Sequence, residues 1–228
     1  MKMKNQMKTD KSKPIATGSD FLSLGLYAFA GLGMEGIYAY LLEPHIYGAS
    51  MDSWSELQII IHWILTCVTW GIFTIVLIRK AEGKYQFPIL KKGSAMALWQ
   101  WGLCGLFLVM SLFMNYIDWG GFKIYLEFVR KGPLLFTFQY IYYAFETMLF
   151  LLIIVFGQRA CELWFRKQAL PYGGIVCGLT WGLGHIFTKD LATGLQGLVL
   201  GLMMGSVYLL VNRDLKKAYG VLFFLFVL

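Results

Sequence analysis

The chain has 228 residues, of which 58% are hydrophobic and only 14% charged, whereas soluble domains average about 25% charged. Twenty Lys and Arg against thirteen Asp and Glu give a formal charge of +7, but on so apolar a chain the basic residues carry topology rather than a nucleic-acid footprint. A soluble globular domain and a nucleic-acid binder are both excluded, and the lipid bilayer is the first expected partner.

The leader MKMKNQMKTDKSKP is short, polar and basic and has no small-residue cleavage site ahead of the next apolar run. Residues 1–20 therefore read as a disordered cytoplasmic tail rather than a signal peptide. Apolar runs follow near 21–42, 57–78, 95–116, 134–156, 173–188, 191–211 and 218–228, the fifth and seventh being short. A span needs about 20 residues to cross roughly 30 Å of hydrocarbon. Residues 21–228 are thus expected to form one all-α polytopic transmembrane helical bundle of about seven spans.

The loops between the runs alternate in charge. The leader, the loop with Arg79, Lys80, Lys84, Lys91 and Lys92, the loop with Arg159, Arg166 and Lys167, and the loop with Arg213, Lys216 and Lys217 hold sixteen of the twenty basic residues. Only Lys123, Arg130, Lys131 and Lys189 fall on the other side. The positive-inside rule then predicts a multi-pass protein of the cell membrane with a cytoplasmic N-terminus. Residues 117–133, DWGGFKIYLEFVRKGPL, break up their apolar positions with charges and are expected to lie along the outer interface. Tyr47, Trp54 and Trp119 suit an aromatic belt there. Cys67, Cys104, Cys161 and Cys177 fall singly in or beside apolar runs, which fits small core residues and indicates neither disulfides nor a zinc site.

Glycines recur every fourth residue at 174, 178 and 182 and again at 197, 201 and 205. Small residues on one face let membrane helices approach closely, so the fifth and sixth spans are expected to pack tightly. His185, seven residues after Gly178, is expected on that same packed face.

Gln139, Tyr142, Tyr143 and Glu146 recur at intervals of three and four, forming one polar stripe on an otherwise apolar helix. An ionisable group in hydrocarbon costs roughly 2.5–3.5 kcal/mol, which makes Glu146 a candidate functional group. Glu35, His62, Gln196 and His185 fall at similar depth and are expected to converge on it. Two readings stay open. In one, Glu146 acts as a base on water with His185 opposite and Tyr142 or Gln196 stabilising an oxyanion, or Glu and His hold a divalent metal. In the other, each is a buried polar group that ties helices together.

The run Trp181-Gly-Leu-Gly-His185, following a carboxylate-bearing span and preceding a glycine-rich one, resembles the CAAX-protease and bacteriocin-processing membrane proteins, the CPBP or abortive-infection family, over roughly residues 135–228. Trp181 and His185 match that family's FxxxH motif. Its EExxxR motif falls either on Phe145-Glu146 with Phe150 in the arginine position, or on Gly157-Gln158 with Glu162 there. No histidine for its third motif occurs in LKKAYGVLFFLFVL. The resemblance implies an intramembrane peptidase in which glutamate activates water and histidines stabilise the transition state or bind metal. It also implies a peptide or membrane-protein substrate contacted by Trp181, Tyr143, Gln158 and Glu162. Where the motifs are lost, it implies instead a non-enzymatic immunity, partner-binding or small-solute transport factor on the same fold.

Overall fold

The computed structural model describes residues 16–228; the basic residues of the leader, Lys2 to Lys13, lie outside them. Helices account for most of the described residues, and no strand occurs among them. They are α1 (Gly18–Ile37), α2 (Glu43–Tyr47), α3 (Glu56–Gly83), α4 (Leu98–Trp119), α5 (Lys123–Phe165), α6 (Tyr172–Cys177), α7 (Leu183–Thr188), α8 (Leu191–Leu210) and α9 (Leu215–Val227). A π turn, Tyr38–Leu42, joins α1 to α2, and a second, Gly178–Gly182, joins α6 to α7.

Five helical stretches are long and apolar enough to cross a membrane: Gly18–Tyr47, Glu56–Gly83, Leu98–Trp119, Lys123–Phe165 and Leu191–Leu210. The two short runs are also helical, as α6–α7 and α9, but do not reach that length. This is the architecture of a membrane protein. Leu26, Val68, Ile72, Val109 and Phe113 point out of the bundle as lipid-facing side chains do.

Capping residues fix where the helices begin. Thr17 and Ser55 each accept from the third helical N–H while Asp20 and Gln58 reach back to the cap backbone, so α1 and α3 start in full capping boxes. Asp190 and Asp214 cap α8 and α9.

Helix α5 is the axis of the bundle. Its run from Leu149 to Phe156 is buried on every side, at 0–1% exposure, as expected of a helix apolar all round. Around it pack α1, α3, α6, α8 and α9, while α4 lies outermost against α8 and α9. The segment 117–133 departs from the expected surface helix. Residues 117–119 end α4, and from Lys123 the segment forms the start of α5, which then breaks at Gly132 (φ 70°, ψ 170°) ahead of Pro133. Lys123 and Glu127 turn inward and are buried. The reason is a matched set of partners: Lys123 donates to the Phe226 carbonyl, and Glu127 accepts from Gln139, Tyr140 and Tyr143 at 2.9–3.0 Å.

The glycine stripes do what their spacing predicts. A methyl on Gly201 would lie 2.7 Å from the Cα of Gly178, and one on Gly174 would lie 2.7 Å from the Gly201 carbonyl oxygen. Gly182 meets Gly197 as closely. The α6–α7 arm and α8 are therefore in backbone contact.

Candidate functional site

The polar stripe of α5 does not stay together. Residues 142 and 143 are about 100° apart around a helix, so the stripe divides between two neighbours. Gln139 and Tyr143 serve the Glu127 carboxylate. Tyr142 and Glu146 face α1, α3 and the π turn before α7. There the Tyr142 ring packs 4.8 Å from Trp70 and 6.2 Å from Trp63.

Glu146 and His185 meet on one residue, Trp181. The indole N–H of Trp181 donates to Glu146 Oε1 at 3.0 Å, and the His185 ring stands edge-on to the same indole at 5.0 Å. His185 Nδ1 bonds the Trp181 carbonyl at 2.8 Å. Glu146 Oε2 and His185 Nε2 take no partner among the described residues, and neither is sealed from solvent. Glu35 comes close enough for its charge to act on Tyr142, Glu146 and His185 alike.

His185 is not on the glycine face. The π turn Gly178–Gly182 carries one extra residue per turn, which sets the helix beyond it back by about 100°. Beyond it Ile186, not His185, meets Gly194 of α8, and the imidazole is left half-buried one turn after Trp181.

The other π turn acts in the same way on α1. In a regular helix Glu43 would sit about 80° off the face of Glu35; with one residue absorbed by the turn, the two share a face. Between them stands His62 of α3, fully buried. Its Nδ1 lies 2.5 Å from Glu43 Oε2, and its Nε2 lies 3.8 Å from Glu35 Oε1. His62 Nε2, Glu43 Oε1 and the Thr66 hydroxyl are buried without hydrogen-bond partners. The structure thus brings Glu35, His62, Tyr142, Glu146, Trp181 and His185 into one polar region and adds Glu43. Glu43 gives no sequence signal, because its place depends on a π turn that leaves no periodic mark.

Gln196 turns instead to Asn115 of α4, at 3.5 Å. Gln158 and Glu162 lie at the other end of α5, at least twelve residues or roughly 18 Å along the helix from Glu146. There Gln158 accepts from the Gly173 N–H and donates to Glu162 and the Leu170 carbonyl, while Glu162 pairs with Arg213 at 2.8 Å. The two registers of the first motif therefore name two different sites. No group of three or more His, Cys, Asp or Glu side chains is placed to hold a metal ion among the described residues. Comparison with known protein families, with characterised proteins and with solved structures returned no match.

Proposed function

We propose that the chain is an intramembrane hydrolase of the CPBP type, oriented with its N-terminus in the cytoplasm, in which Glu146 is the general base toward a peptide bond within or beside the membrane. One observation carries this reading: Glu146 Oε2 and His185 Nε2, on either side of Trp181, are left open by the protein. Trp181 holds the carboxylate in place through its other oxygen, and the Trp181 carbonyl fixes the imidazole. Water bound at Oε2 gives up a proton to Glu146 and attacks the carbonyl carbon. Because Nδ1–H is donated to the Trp181 carbonyl, the imidazole acts as the doubly protonated form, whose Nε2–H donates to the oxygen on which negative charge collects. The C–N bond then breaks as Glu146 passes its proton to the leaving amine. Glu35 and Tyr142 lie beside this carboxylate. The sixteen basic residues on one side fit the orientation.

A second reading is a non-enzymatic partner-binding or immunity factor on the same fold. What favours it is that Trp181 fills the space between acid and imidazole and satisfies one polar atom of each. Cleavage of a co-expressed membrane peptide separates the two. Under the hydrolase reading, Glu146→Gln loses activity by about two to four orders of magnitude, the usual worth of a general base, and His185→Ala loses a comparable part, with both variants still folded. Undiminished cleavage in Glu146→Gln, or no cleavage of any membrane peptide by the native chain, leaves the second reading.

A further inference from the structure

At the opposite end of the bundle from Glu146, a cavity of about 240 Å³ opens between α5, α8 and the loop after α3, lined by Phe87, Gln158, Arg159, Glu162, Tyr208 and Arg213. Its charge is unbalanced. Glu162 is paired with Arg213, whose Nη2 also donates to the Gln168 carbonyl at 2.8 Å. Arg159 has no ion pair or hydrogen bond among the described residues, and its Nε is buried without a partner. Its guanidinium is held in place all the same, 5.8 Å from the Phe21 ring and 5.9 Å from the Phe87 ring. The Tyr208 hydroxyl is likewise unpartnered in the same wall and is not sealed from solvent. A fixed guanidinium with free donors, a free hydroxyl and one uncompensated positive charge form a receptor for a phosphate-type anion.

An apolar groove of about 470 Å³ adjoins the cavity and shares Gln168 and Arg213 with it. It runs between α4 and α8 along Trp99, Leu103, Phe107, Leu209 and Leu210. A basic cavity continuous with a greasy groove on a membrane helix matches a molecule with a phosphate at one end and an acyl chain at the other.

We propose that this end of the bundle is a binding site for an anionic phospholipid, its phosphate taken by Arg159, Tyr208 and the free donors of Arg213 and its acyl chain lying in the α4–α8 groove. The site is independent of the hydrolase reading and stands or falls without it.

The test uses the full chain purified in detergent, with binding of phosphatidylglycerol, phosphatidylcholine and inorganic phosphate measured by native mass spectrometry and by the shift in thermal unfolding midpoint. Phosphatidylglycerol is expected to bind and to raise the midpoint, phosphatidylcholine to bind at least about tenfold more weakly, and inorganic phosphate to give no comparable shift. Arg159→Gln should lose phosphatidylglycerol affinity by roughly tenfold or more, and Tyr208→Phe, which keeps the packing volume, by about threefold. Lys92→Gln, an exposed charge at the same end, should leave it within about twofold. Equal binding of the two lipids, or a loss in Lys92→Gln equal to that in Arg159→Gln, overturns the proposal by reducing the site to general attraction. Inorganic phosphate matching the lipid overturns it in favour of a soluble anion. If Arg159→Gln does not fold, unchanged binding in Tyr208→Phe overturns it.

Discussion

His62 is the most fully enclosed ionisable side chain of the polar region, at 0% exposure, and Glu43 beside it is at 3%. Removing one member of a buried charged pair leaves the other stranded, a loss of about 3–5 kcal/mol. His62→Ala is therefore expected to lower the unfolding midpoint in detergent far more than His185→Ala, whose imidazole is half-buried and bonds only a backbone carbonyl. Equal effects would mean that His62 and Glu43 do not support each other. At this scale the sequence singled out Glu146, Trp181 and His185, which the fold brings side by side. It could not reveal Glu43, whose place depends on the π turn just before it. Glu127 looked like a surface charge because its three partners lie twelve to sixteen residues further on, past a kink.

Whole elements were legible to the extent that their periodicity is regular. The seven apolar runs all became helices, and the glycine stripes paired as their spacing requires. The two π turns were not legible, since one added residue changes no composition, yet each resets the phase of the helix beyond it, and the first places Glu43 beside His62. This yields an expectation that runs against intuition. Deleting the exposed Tyr40 from the first π turn leaves Glu35 and Glu43 seven positions apart on a regular helix, where they still share a face. That deletion is expected to cost no more than about 1 kcal/mol in detergent unfolding and to keep His62 paired. Deleting Leu26, also exposed but inside regular α1, rotates Phe21 and Leu24 about 100° out of register with the rest of the helix and should abolish folding. Similar outcomes for the two deletions would show that the π turn does not set the phase.

The molecule as a whole is polarised. The Arg213 loop, the α5 C-terminus and the loop after α3 gather at one end, where Arg213 holds Glu162 of α5 and Asp214 holds the loop after α3. Asp214 accepts from the Lys216, Lys217 and Gly93 N–H groups at 3.1 Å, linking α9 to the chain ahead of α4. Burial pushes its carboxyl up, but the N–H groups of Lys217 and Gly93 and the Lys217 ammonium outweigh that and hold it below the usual carboxylate range. The stability this contributes is complete above the unfolded value of about 3.9 and is lost as pH falls through the lower folded value. Asp214→Asn keeps a capping oxygen but does not titrate. The advantage of the native chain over this variant in unfolding midpoint should therefore be constant above about pH 5 and shrink below about pH 4. An advantage independent of pH would remove the charge from the account.

The all-helical bundle could be read from the chain because hydropathy is a local property, although only five of the seven apolar runs lie in helices long enough to span. The division of the α5 stripe between Glu127 and Glu35 could not, because it depends on which helices surround the axis. The central claim, that Glu146 and His185 form a working site in the membrane, is tested most directly with purified protein in liposomes, a membrane peptide and water labelled with heavy oxygen. The account predicts that the native chain yields a fragment whose new C-terminal carboxylate carries the label, and that Glu146→Gln does not. Intact peptide with the folded native chain, or labelled fragment in equal yield from Glu146→Gln, would contradict it.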